Sequence, residues 1–328
     1  MTFALHKIRA DFPILSEQIH GNRLVYLDSG ASAQKPVQVL DRMDHAFRHE
    51  YANVHRGLHT LANRATEGYE AGRESVRRFL NAGRVEEIIF TRSATEAINL
   101  VASSFVGPRV SEGDEIVTTI MEHHSNIVPW HFHRERKGAL IKWIDVDDDG
   151  VLDMAAFEAS LTDRTRIVAV THMSNVLGTV NPIKQIVEIA HARGIAVLVD
   201  GSQGAVHTSV DVQDLGADFY VMTGHKLYGP TGIGALFGRK KLSSTTAGKI
   251  GTAIKTAGGA HKESADVDRA EETIARVQTD IENLNAELER EIAGLTGRIT
   301  ARAEEAIEER HEETRGRLEA ARAHLGHV

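Results

Sequence analysis

Across the first 240 positions, apolar residues fall into short β-rich runs separated by stretches with a helical repeat. Seven runs predict strands: Ile88–Thr91, Ile116–Ile120, Leu140–Asp145, Ile167–His172, Ile195–Asp200, Phe219–Thr223 and Ala235–Gly238. Amphipathic stretches such as Thr95–Phe105, Asp153–Leu161 and Pro182–Arg193 sit between them. Ile195 to Val199 is almost uniformly apolar, as in a strand covered on both faces. Such alternation predicts an α/β fold, a mostly parallel seven-stranded sheet with right-handed crossovers and helices on both faces.

The pattern changes near Lys241. Ile274, Val277, Ile281, Leu284 and Leu288 step by three and four, and Ile292, Leu295 and Ile299 follow after one extra step of four. That is a coiled-coil seam with a stutter. Residues 243–265 are rich in Gly, Ser, Thr and Ala, as a linker is. The expected organisation is a large domain over 1–241, a linker over 242–265 and an acidic helical tail over 266–328. All six prolines and every Phe, Tyr and Trp precede Lys241. Without aromatics the tail cannot assemble a globular core alone.

Composition adds three exclusions. The net charge of −8 argues against nucleic acid as a partner. No apolar run reaches membrane-spanning length and the first residues lack a signal peptide's apolar block, so a cytoplasmic setting is expected. The 328 residues include no cysteine, which removes disulfides, thiolate metal sites and a Cys nucleophile.

Candidate chemistry clusters where strands end, the ligand-binding edge of a parallel sheet. Asp200 closes a buried strand, and a carboxylate there is costly unless paired; it is either a turn cap or the partner of a protonated ring nitrogen. Lys226 follows the strand Phe219–Thr223, where desolvation favours a free, imine-forming amine; alone, it also reads as a surface lysine. Ser93 or Thr95 can cap a helix whose first N–H groups suit a phosphate. His123 and His124 follow another strand and could supply a stacking ring; no zinc-ligand spacing accompanies them, and no metal is expected. Together the clusters supply a phosphate cradle, a ring anchor and an imine lysine, the set that pyridoxal 5′-phosphate (PLP) requires.

These residues lie in longer motifs: DFPIL at 11–15, VYLDSGASAQKP at 25–36, NVHRGLHTLANRAT at 53–66, TRSATEAINLVA at 91–102, EHHSNIVPW at 122–130, SNVLGTVNP at 174–182 and TGHKLYGPTGIG at 223–234. From about Asp11 to Lys241 the chain resembles the SUF-type cysteine desulfurases, in the class V aminotransferase group of fold-type I PLP enzymes. The resemblance implies that Lys226 carries the cofactor and shuttles a proton and that Asp200 pairs with the ring nitrogen. It further implies that His123 stacks on the ring, that Gln203 meets the 3-hydroxyl, and that Asn175 lies near that oxygen and the substrate carboxylate. Thr95, the Glu96 backbone, Thr223 and His225 would hold the phosphate. It also implies a homodimer and conversion of L-cysteine to L-alanine with sulfur release for iron–sulfur cluster assembly.

After Lys241 the family pattern stops, and the family's cysteine loop and carboxylate-binding arginine have no counterpart. Impaired turnover and no sulfur relay on this chain are expected. The alternatives are a non-catalytic PLP-fold scaffold whose coiled coil recruits a partner, and a PLP lyase or epimerase for another amino acid such as L-selenocysteine.

Overall fold

The computed structural model describes residues 4–239; the expected linker and acidic helical tail lie outside the described residues. Seven strands form one sheet: β1 (Ile88–Thr91), β2 (Glu115–Thr119), β3 (Leu140–Ile144), β4 (Thr165–Thr171), β5 (Ala196–Asp200), β6 (Phe219–Thr223) and β7 (Gly234–Gly238), in the spatial order β1-β7-β6-β5-β4-β2-β3. Each expected run lands on a strand. The β2–β3, β2–β4, β4–β5 and β5–β6 pairs are parallel, and β7 runs antiparallel to both β1 and β6.

Alternation along the strands builds two cores. Val197, Val199, Tyr220 and Met222 join one apolar cluster with Ile183, Ile186, Val187 and Ala190, while Leu198, Phe219 and Val221 join another with Ala97, Ile98, Val101 and Trp130. Successive residues thus face opposite sides, and both sides are covered. The helices of seven or more residues among the described residues are α1 (Val37–His45), α2 (Thr60–Phe79), α3 (Ala94–Val101), α4 (Val128–Lys137), α5 (Met154–Ser160) and α6 (Ile183–His191). Helix α3 opens on Ser93, whose side chain accepts the Glu96 N–H at 3.2 Å. Helix α2 buries only Ala62 among its twenty residues, so its apolar stripe is faint in the sequence.

From β2 the chain moves one way to β3, then returns past β2 to β4 and continues through β5 and β6. Connections therefore leave β2 and β4 in opposite directions, which opens a crevice at their C-terminal ends. Among the described residues no helix is long and apolar enough to cross a membrane.

Candidate active site

The crevice is lined by the segments that follow β2, β4, β5 and β6. Asp200, the last residue of β5, is 4% exposed. Its Oδ1 accepts the Ser202 N–H at 2.9 Å, and its backbone carbonyl accepts the His172 N–H at 2.9 Å. Among the described residues no basic side chain forms an ion pair with it. A buried carboxylate held by one backbone donor and no cation demands a cationic ligand group.

The turn carrying Asp200 lies on a buried polar pair, His172 Nδ1 and the Tyr220 hydroxyl 2.9 Å apart. A Cβ on Gly201 would stand 2.1 Å from the Tyr220 ring, and one on Gly204 would stand 2.5 Å from His172 Nδ1. Both glycines are needed for this approach. Gln203 is buried in the same turn and donates from Nε2 to the Gly30 carbonyl at 2.8 Å.

Lys226 is half-buried in the turn after β6. Burial lowers its pKa, and the Asp200 charge partly offsets that. Burial also lowers His123, with the positive charge of Lys226 adding to the effect and Asp200 opposing it. Lys226, His123 and Asp200 are thus close enough to feel one another's charge, although they come from three different strand ends. The segment before α1 closes this side: the His225 carbonyl accepts the Ala33 N–H at 3.0 Å and the Lys35 ammonium at 3.2 Å.

His123 is solvent-accessible. Its Nδ1 accepts the Ser125 N–H at 3.2 Å, which places the proton of the neutral ring on Nε2. The Ser125 hydroxyl is 3.0 Å from that nitrogen and 2.8 Å from Thr95 Oγ1, so one serine joins the ring to the start of α3. Ser93, not Thr95, caps α3. The Glu96 N–H is donated to that cap, and the Ala94 and Thr95 N–H groups are the first-turn donors that no described residue accepts from. Thr223 is buried at the end of β6, and Asn175 is exposed on the turn after β4.

The predicted residues therefore line one edge. His123, Asp200 and Lys226 are coupled through their charges, and Thr95 is joined to His123 through Ser125. No hydrogen bond ties Asn175 to the others. Sequence reading missed Ser125, Glu122, Lys35 and the His172–Tyr220 pair. All four act through contacts distant in sequence or through a neighbouring backbone group, and a hydroxyl beside a histidine was the one local sign. Among the described residues no group of His, Asp or Glu is arranged to hold a metal.

This architecture, a mostly parallel sheet with a lysine and a buried carboxylate following adjacent strands at its C-terminal edge, defines a cofactor-binding α/β domain. The sequence profile of the aminotransferase class-V family matches residues 25–266, and the chain belongs to that family. It is 51% identical over 235 residues to a probable cysteine desulfurase of Halalkalibacterium halodurans, covering 72% of this chain and 58% of that protein. It is also 51% identical over 242 residues to a cysteine desulfurase of Pectobacterium atrosepticum, covering 74% and 60%. The cysteine desulfurase CsdA of Escherichia coli superposes with a TM-score of 0.68 at 41% identity, over 75% of this chain and 60% of that one. An apo cysteine desulfurase from Thermococcus onnurineus gives 0.69 at 37% identity, over 75% and 59%. The chain spans about 60% of the length of these relatives. The cofactor of the family is PLP. The unpaired Asp200 carboxylate, the desolvated Lys226 amine and the free donors at the start of α3 fit its ring nitrogen, aldehyde and phosphate respectively.

Proposed function

We propose that this chain binds PLP over the C-terminal edge of its sheet and acts on the Cα–H and Cβ–S bonds of L-cysteine, as a cysteine desulfurase does. The carrying observation is the buried Asp200 carboxylate, without a basic partner among the described residues and electrostatically coupled to Lys226. Bound PLP supplies an electron sink for bonds broken at the substrate Cα.

Lys226, whose pKa burial lowers against the opposing charge of Asp200, would hold the cofactor through its aldehyde and is placed to carry the Cα proton. Asp200 holds the ring nitrogen in its protonated form. His123, its ring hydrogen-bonded to Ser125, would stack on the cofactor ring. Gln203 contacts the ring hydroxyl, and Asn175 contacts that oxygen and the substrate carboxylate. Thr95, Thr223, His225 and the Glu96 N–H, the last shared with Ser93, hold the phosphate. A homodimer and a role in iron–sulfur cluster assembly belong to the same reading. Because the chain contains no cysteine, sulfur leaves on a thiol from another molecule, R–SH plus L-cysteine giving R–S–SH plus L-alanine.

The cysteine-free composition also favours a second reading, in which L-selenocysteine is the substrate and chalcogen leaves without a protein thiol. The full chain incubated with PLP is expected to turn yellow, and borohydride followed by peptide mapping is expected to leave the label on Lys226. A colourless chain whose absorption ignores added PLP sinks both readings. Alanine release from selenocysteine but not from cysteine with an added thiol selects the second.

A further inference from the structure

We infer that Glu122 is a positioning residue, whose side chain fastens the His123 turn to the ends of β2 and β4 across the crevice where the sheet's connections diverge. The inference deepens the cofactor reading and rests on it, since a fixed His123 ring matters only if a planar cofactor lies beneath it.

Glu122 adjoins His123 in the chain, yet its side chain goes the opposite way. It is 7% exposed and none of the roles above uses it. Oε1 accepts the Thr119 hydroxyl at 2.7 Å and the Thr171 N–H at 2.9 Å, while Oε2 accepts the Asn126 amide at 2.6 Å. One carboxyl therefore joins the end of β2, the end of β4 and the turn that carries His123.

Each donor is itself fixed. Thr119 Oγ1 accepts the Met121 N–H at 3.2 Å, which turns its proton toward Glu122. Asn126 Oδ1 accepts the indole N–H of buried Trp130 at 3.3 Å, which sets the orientation of the amide. The Thr171 donor is backbone and cannot turn. The three donors use three of the acceptor positions that a carboxyl offers, ionised or not. Burial, together with the Asp200 charge, pushes the Glu122 pKa up to about 8, and the three donors oppose that rise. The carboxyl is thus kept under the site at an electrostatic cost that a merely space-filling residue would not incur.

The same turn is closed from its other end, where the Asn126 N–H donates to the His123 carbonyl at 2.7 Å. Glu122 and Asn126 bracket His123, so the height and tilt of its ring follow from where they are anchored.

The test compares the wild-type full chain, Glu122→Gln, and Glu122→Gln combined with Asn126→Asp. Far-UV circular dichroism checks folding, absorbance titration measures PLP affinity, and the induced dichroism of the bound PLP band reports its seating. In the single variant an NH₂ group faces a fixed N–H donor, and PLP affinity is expected to fall roughly tenfold, the size of one lost buried hydrogen bond, with loss of most of the induced dichroism. In the double variant the amide at 122 donates to the carboxylate at 126, which still accepts from Trp130, and both signals are expected to recover. A single variant indistinguishable from wild type overturns the inference. So does a double variant that folds but stays as impaired as the single, because charge and not the clamp would then be the requirement. A wild-type chain that takes up no PLP instead fails the cofactor reading itself.

Discussion

At the N-terminal end of β2, beside the start of β4, Asp114 and Glu115 are buried and partnered. Asp114 pairs with Arg166 at 2.8 Å and accepts the Ser111 N–H at 2.9 Å, while Glu115 pairs with Lys142 at 2.8 Å and accepts from Thr162 and Thr165. The Arg166 contact holds Asp114 below the usual carboxylate range, and at Glu115 the Lys142 and threonine contacts outweigh the upward push of burial. At the opposite edge Asp200 has no basic partner among the described residues, Glu122 is pushed upward and Lys226 downward. The sheet thus carries compensated charge at one edge and, among the described residues, charge without a basic partner at the other. Charge left unpaired inside a protein persists when a ligand completes it, so the contrast identifies the working edge without reference to any relative.

Substitutions at the two edges should separate cofactor affinity from stability. Asp200→Asn removes the partner of the ring nitrogen, and PLP affinity is expected to fall by about two orders of magnitude, the scale of a broken buried charge pair. Absorbance titration measures this, and an unchanged affinity would show that Asp200 only caps its turn. Asp114→Asn is expected to cost about 1 kcal/mol of stability, because Arg166 is partly solvated, and to leave PLP affinity unchanged. Its pH signature follows from the depressed pKa. The contribution is present above the unfolded value of 3.8 and disappears as pH falls through the lower folded value, so wild type and variant should converge in acid denaturation. A variant that loses PLP affinity at neutral pH would contradict the division of labour. Ser125→Ala, which unlinks Thr95 from His123, is expected to weaken PLP binding only about threefold, the effect of a partly exposed neutral hydrogen bond. An effect as large as that of Asp200→Asn would require Ser125 itself to touch the cofactor.

Much of the fold was legible because strands buried on both faces keep continuous apolar runs, as Ile195 to Val199 does. Candidate residues standing next to those runs were legible for the same reason, and the structure places Asp200 at the end of β5 and Lys226 just after β6. What escaped depends on contacts between distant positions. Glu122 meets Thr171 across 49 positions and His172 meets Tyr220 across 48. Read locally, Glu122 is an ordinary charge before two histidines, and nothing in its neighbours shows that three donors await it. Helix α2 was unremarked because a helix that buries one alanine leaves little periodic trace.

The Lys35 ammonium reaches the His225 carbonyl across 190 positions. During synthesis this early segment must wait until β6 has been made before it finds its docking point, while β2 to β5 can already pair with nearer neighbours. Closing so large a loop is slow compared with local pairing. A nascent chain arrested before position 225 would therefore hold β2 to β6 but neither the wall of the pocket nor β7, without which β1 has no neighbour in the sheet.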